Sequence, residues 1–258
     1  MNRGFRAALL GEQVTFGGWL QIGHPAVAEV LARSGFDWVC VDLEHGLTDL
    51  ESMGNAFRAL GKYGCAPVAR LPYNDVIWMK RALDAGAAGI IVPMVNTAED
   101  AERALTEAKY PPRGRRGFGF ARANEYGVDF AERIRLANDD VAVILQIEHK
   151  DAIRNLDAIL SVADVDALFI GPMDLSGSYG KPGDLDCPEM RSALNYFLQA
   201  CAKHRTAAGL HIVAPDAANI DAAIAAGYRL IALGVDAFFL ASASAHAVRT
   251  ARGLVRPA

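Results

Sequence analysis

Four apolar stretches of this sequence end in residues that could do chemistry together. The stretch that starts at Trp38 runs into Asp42, Leu43, Glu44 and His45, and the one that starts at Val141 runs into Gln146, Ile147, Glu148 and His149. Another stops at Arg70, and the stretch from Ala167 leads into Gly171, Pro172, Met173 and Asp174. A histidine just beyond an aspartate, in a turn leaving a buried segment, suits a general base, because the carboxylate can fix the imidazole tautomer and stabilise its protonated form. An arginine at such an end is costly to bury unless it faces an anion. Arg70 therefore either pairs with Asp42 or Glu44, or binds a carboxylate or a developing oxyanion of a substrate. Glu148 and Asp174 are about one strand–helix unit apart. Two oxygen donors with open positions suit a hard cation such as Mg²⁺ or Mn²⁺, water and substrate filling the remaining sites. Taken singly, either carboxylate also fits a helix N-cap or a surface ion pair. His149 either reaches the metal or begins the next helix, and His211, inside an apolar run, reads as a core histidine. His24 has no clear assignment.

These residues need a scaffold that gathers strand ends. Short apolar runs alternate with longer helical patterns, as in βαβ units of a parallel sheet. The strands are expected at Val14–Leu20, Trp38–Leu43, Ala66–Arg70, Gly89–Pro93, Val141–Glu148, Ala167–Gly171, Ala207–Val213 and Leu230–Gly234. Eight units in 258 residues make an α/β chain of the size of one (β/α)8 barrel, covering 1–258 as a single domain. Helix starts are expected after Asp49, Asn74 and Thr97, and helix ends at Gly35, Gly86 and Gly227. Active sites of such barrels lie at the C-terminal ends of the strands, where the four polar ends meet. Two long segments, Tyr110–Tyr126 and Ser176–Pro188, are expected to leave that same end.

Composition narrows the function. Hydrophobic residues make up 52% and charged residues 22%, enough for a large core, and the net charge of −4 comes without a basic block, which argues against nucleic acid. No apolar run approaches the roughly 20 residues that span a bilayer, and Met1–Gln13, with only a short apolar stretch, is not expected to act as a signal peptide. Cys40, Cys65, Cys187 and Cys201 lie far apart, as reduced structural thiols of a cytoplasmic protein would. Lysine is scarce, and only Lys150 lies near the rim, so a Schiff-base mechanism is not expected. The segments after the last two strands lack a glycine-rich phosphate cradle, so a phosphorylated substrate is not expected either.

The run Asp42–Gly46 (DLEHG), Arg70, Val92–Ala101 (VPMVNTAEDA), Gln146–Glu148 (QIE) and Gly171–Gly180 (GPMDLSGSYG) resembles the HpcH/HpaI family of metal-dependent pyruvate aldolases. The resemblance implies a TIM barrel with an exchanged C-terminal helix, assembled as a hexamer, and a divalent metal on Glu148 and Asp174. It implies a base dyad of His45 and Asp42, Arg70 on the pyruvate unit, and Gln146 beside the metal. Trp19, Gly171 and Met173 would line the substrate, and Asp84 would reach a neighbouring subunit's site. The implied reaction is reversible cleavage of a 4-hydroxy-2-oxo acid into pyruvate, or hydroxypyruvate, and an aldehyde. Met173, His149 and the stretch Ala123–Tyr126 differ from the family pattern and bear on the choice of aldehyde. Two alternatives stay open: a lyase for CoA thioesters of the citrate-lyase-beta type, for which Arg113–Arg116 could meet phosphates, and a non-catalytic barrel scaffold.

Overall fold

The computed structural model describes residues 4–11, 13–128 and 130–254. Its strands are β1 (Thr15–Leu20), β2 (Trp38–Asp42), β3 (Ala66–Arg70), β4 (Gly89–Val92), β5 (Ala142–Ile147), β6 (Ala167–Ile170), β7 (Ala207–Ile212) and β8 (Leu230–Val235). They pair in chain order and close into a barrel, every ladder being parallel. The (β/α)8 TIM barrel expected from the sequence is therefore present, with strand ends within one residue of the expected ones. Parallel neighbours require a crossover outside the sheet, and helices supply it.

The helices are α1 (Phe5–Leu10), α2 (Pro25–Arg33), α3 (Leu50–Lys62), α4 (Val76–Asp84), α5 (Ala98–Ala108), α6 (Phe130–Asp140), α7 (Lys150–Arg154), α8 (Leu156–Leu160), α9 (Pro172–Ser178), α10 (Pro188–His204), α11 (Ala217–Ala226) and α12 (Asp236–Leu254). Strand residues alternate between two apolar layers. Val39, Val41, Ile90, Val143, Leu145 and Leu168 face the helices, while Trp19, Trp38, Val68, Ile144, Phe169 and Leu230 fill the barrel. That double burial is why the strands read as unbroken apolar runs. The sequence patterns did not reveal α1, whose Phe5 ring lies 6.1 Å from Trp38 and plugs the N-terminal end.

Local signals set most element ends. Asp49 accepts from Ser52 N–H at 2.7 Å, and Thr97 with Asp100 forms a full capping box on α5. At α4 the expectation shifts by one residue. Asp75 is the cap, accepting from Ile77 N–H at 2.8 Å, while Asn74 turns its amide to the Asp100 carbonyl at 2.9 Å. Gly35, Gly86 and Gly227 all adopt positive φ, as expected of helix ends.

One expected placement is overturned. The segment Tyr110–Tyr126 follows α5, which has already carried the chain back from the open end, so it lies at the N-terminal end of the strands. Lys109 Nζ donates to the carbonyls of Asn138 and Val141 just ahead of β5, at 2.8 and 2.7 Å. Arg122 donates to the Ala85 carbonyl at 3.0 Å, behind α4. The segment Ser176–Pro188, which starts in the last turn of α9 and ends at the first residue of α10, does follow strand β6 at the open end.

Candidate active site

At the open end, parallel register sets Asp42 of β2 directly beside Arg70 of β3. The guanidinium grips both oxygens of the carboxylate along one edge, Nε to Oδ1 at 3.0 Å and Nη2 to Oδ2 at 2.6 Å, and Arg70 Nη1 lies 3.1 Å from Glu44. Gln21 and Trp19 also donate to Asp42, at 3.0 and 3.2 Å. Burial pushes this carboxyl upward, but the Arg70 hydrogen bonds and charge, with Gln21 and the His45 N–H, outweigh it and hold the pKa at about 2.

The turn after β2 wraps around that same carboxylate. Asp42 Oδ1 accepts from the backbone N–H groups of Glu44 and His45 at 3.1 and 3.2 Å, while the His45 side chain stands exposed. The expected contact of Asp42 with the His45 imidazole is therefore replaced by a backbone one. An aspartate favours bonds to N–H groups two and three residues on, as in Asx turns. Asp42 fixes the turn and Arg70, and the turn presents the imidazole.

Glu148 follows β5 and is buried at 3% exposure. Its Oε1 accepts from the Met94 N–H at 2.7 Å and its Oε2 from the Gln146 amide. Met94 reaches it by adopting φ 53°, a left-handed conformation uncommon outside glycine. Gly171 makes room: a Cβ there would stand 2.8 Å from Glu148 Cβ and 3.0 Å from its Oε2. Asp174, in the first turn of α9, is exposed. Burial raises the Glu148 pKa, and the charge of Asp174 adds to the rise against Gln146, Met94 and Arg70.

This arrangement fits a divalent cation. Glu148 is a buried carboxylate that only neutral N–H groups bond, with a second carboxylate near enough to repel it. Gln146 Oε1 is buried without any donor, as an oxygen awaiting a bound water would be. A cation between Glu148 and Asp174 would relieve both conditions. Among the described residues no three His, Cys, Asp or Glu side chains gather at ligand distance, so two carboxylates would leave the other positions open to water and substrate.

Trp19 lies under this rim, with the Arg70 guanidinium 4.9 Å from its ring and His211 stacked on it at 4.7 Å. His211 Nε2 lies 3.0 Å from the Gly234 carbonyl, and burial holds its pKa down near 4. Met173 is exposed beside Asp174. His149 and His24 both begin helices, their Nδ1 atoms accepting from Asp151 and Ala26 N–H at 3.2 Å. Asp84 stands apart, at the end of α4, paired with Arg116 at 2.7 Å. Arg113 pairs with Asp139 and Asp164 at 2.6 Å and Arg115 with Glu107. The arginine run is thus answered by carboxylates of its own chain, at the end opposite the mouth.

Gln21 is a site group that the motifs did not mark, although its position directly after β1, at a strand end, was a signal. Met94 stands inside the motif Val92–Ala101, but its part in the site had no signal in residue type, because it acts through its backbone.

Known proteins share this plan. The profile of the HpcH/HpaI aldolase/citrate lyase family matches residues 15–243. The chain is 36% identical over 245 residues to a hydroxypyruvate/pyruvate aldolase of Cupriavidus necator, covering 94% of this chain and 90% of that protein. It is 35% identical over 233 residues to a 5-keto-4-deoxy-D-glucarate aldolase of Shigella dysenteriae, covering 90% of each. A crystal structure of a family protein from Burkholderia cenocepacia superposes with a TM-score of 0.92 at 33% identity, covering 97% of this chain and 99% of the other. With its barrel, its rim of acids and arginine, and these relatives, the chain belongs to the HpcH/HpaI aldolase/citrate lyase family.

Proposed function

We propose that this enzyme is a carbon–carbon lyase, a class II aldolase that reversibly cleaves 4-hydroxy-2-oxo acids into pyruvate or hydroxypyruvate and an aldehyde. The observation that carries this reading is Glu148, a buried carboxylate that feels the charge of Asp174 at a barrel end that also holds Arg70 and His45. Glu148 and Asp174 would hold Mg²⁺ or Mn²⁺, which when bound supplies positive charge for the substrate's 2-oxo and carboxylate oxygens.

The chain's own residues do the rest. Arg70 has five N–H groups; three face Asp42 and Glu44, leaving two for the substrate carboxylate or the oxo oxygen as charge develops there. Asp42 holds the guanidinium in place, and Trp19 supports it from below. In cleavage, His45 takes the C4 hydroxyl proton, directly or through a water. The C3–C4 bond breaks, the aldehyde forms, and the electron pair passes toward the 2-oxo oxygen. In synthesis the imidazole returns the proton.

The CoA-thioester alternative is not favoured, since Arg113, Arg115 and Arg116 are already paired with carboxylates. The scaffold alternative is not favoured because the acids, arginine and histidine stand at one rim. Further parts of the reading concern assembly. The exposed α12 and the apolar groove at its base support a homo-oligomer, a hexamer with exchanged C-terminal helices, in which Asp84 reaches the next subunit's site. Among the described residues no helix is long and apolar enough to cross a membrane, and the four free, buried cysteines support a cytoplasmic setting.

The test is exchange of the pyruvate methyl protons into D₂O, followed by NMR with and without Mg²⁺. Wild-type protein should exchange only with the cation, and Glu148→Gln should lose about 100-fold or more, as when a central electrostatic group is removed. Equal exchange by wild type in EDTA, or full activity of Glu148→Gln, would overturn the reading.

A further inference from the structure

β7 places Ala207 in the barrel interior, and a Cβ on Gly209 would run into the Phe169 ring at 2.4 Å. Alternation along a strand then puts His211, two residues on, on the same inward side, in the top layer at the mouth. Its ring stacks on Trp19 at 4.7 Å, the same indole that carries Arg70. Its Nε2 faces the Gly234 carbonyl at 3.0 Å. A carbonyl only accepts, so Nε2 holds the proton, and in a neutral ring Nδ1 is left with a lone pair. Burial and the nearby Arg70 charge both favour the neutral ring. Among the described residues nothing donates to Nδ1.

The other acceptors of the mouth are differently placed. Both Asp42 oxygens and both Glu148 oxygens already receive N–H donors. Glu44 Oε2 and Gln146 Oε1 are buried without a hydrogen bond, but Glu44 Oε2 is held by the Arg70 charge at 3.1 Å and Gln146 lies beside Glu148, its amide on Glu148 Oε2. His211 lies on the strand after the one that delivers Asp174 and shares Trp19 with Arg70, so it borders the space between Arg70 and the acid pair. An oxo acid bound there with a methyl group at C3 would cover the Nδ1 lone pair and leave it unpaired. A hydroxyl at C3 would donate to it.

From this we propose that His211 recognises a hydroxyl on C3 of the 2-oxo acid, so that the site takes hydroxypyruvate as its nucleophile in preference to pyruvate. The proposal rests on the aldolase reading above and names its substrate class. In the cleavage direction the substrate is a 3,4-dihydroxy-2-oxo acid. The C3–C4 bond breaks as the C4 hydroxyl proton passes to His45 and the aldehyde forms. The bond's electron pair stays with C3 and spreads to the 2-oxo oxygen as the enolate, which takes a proton from water at C3 to give hydroxypyruvate while His45 returns its proton to the hydroxide left behind. Nδ1 accepts from the C3 hydroxyl throughout and gains no proton.

Two variants separate recognition from structural support. His211→Gln keeps an amide N–H for Gly234 but loses the acceptor at the Nδ1 position, and His211→Asn keeps an acceptor there but loses the reach to Gly234. The measurement is kcat/KM for hydroxypyruvate and for pyruvate in Mg²⁺-dependent addition to glycolaldehyde, with thermal melts to confirm folding. Wild type should prefer hydroxypyruvate. The ratio should fall about tenfold or more in His211→Gln, as when one neutral hydrogen bond to substrate is lost, and stay near the wild-type ratio in His211→Asn. A wild-type preference for pyruvate, a ratio unmoved in both variants, or a loss in Asn with retention in Gln would each overturn the proposal, the last making His211 a prop for β8. Wild type that turns over neither oxo acid with any added divalent cation would instead overturn the aldolase reading on which the proposal stands.

Discussion

At Asp42 a fully buried carboxylate survives because Arg70 bonds both its oxygens while Gln21, Trp19 and two backbone N–H groups take up its remaining lone pairs. Its pKa is depressed from 3.8 to about 2, so the pairing stabilises the fold above the unfolded value, and the contribution disappears as pH falls through the folded one. A depression of this size corresponds to about 2 kcal/mol. Urea midpoints taken between pH 5 and pH 2 should therefore drop more steeply in wild type than in Asp42→Asn; parallel slopes would contradict the assignment. Asp42, Arg70, Gln146, Glu148 and Asp174 were legible in the sequence because each polar side chain ends, or directly follows, an apolar run. Their partners were less so. Met94 acts through a backbone N–H, and His211 looked like core because its run is apolar, while the nitrogen it commits to Gly234 and the ring's stacking on Trp19 are set by other strands.

Elements were read well where a local signal fixes them and less well where the chain's route decides. The strands, the caps of α3 and α5 and the glycine stops depend on neighbouring residues alone. At α4 two capping residues are adjacent, and the long-range bond from Asn74 to the Asp100 carbonyl leaves the cap to Asp75. Asp75→Ala should then lower stability by about 1 kcal/mol, the usual loss for a helix N-cap. Chemical denaturation measures this; an unchanged midpoint would contradict the role. The segment Tyr110–Tyr126 was assigned to the wrong end because its composition suits a functional loop, whereas its place depends on which crossover it follows.

For the molecule as a whole, α12 is the element that the single barrel does not bury. Every residue from Ala237 to Leu254 is exposed, and beside its start Ile22, Val27, Val30, Phe36, Phe239 and Leu240 line an apolar cavity of about 610 Å³. A patch of this kind marks an interaction surface. If a second copy's helix covers it, Leu240→Asp should shift the mass seen by light scattering toward the 27.6 kDa of one chain, and an unshifted oligomer would contradict that assignment. By itself the sequence determined the barrel, the strand ends and the acids, arginine and histidine of the rim, because alternating burial and strand-end position are written in residue order. Only the tertiary structure decided that Asp42 grips Arg70 and the turn backbone in preference to the His45 ring. It alone showed that Glu148 depends on a strained Met94, that His211 gives one nitrogen to the Gly234 carbonyl and leaves the other without a donor among the described residues, and that α12 stands clear of the barrel. Each of these depends on contacts between segments distant in the chain, formed only once the barrel closes.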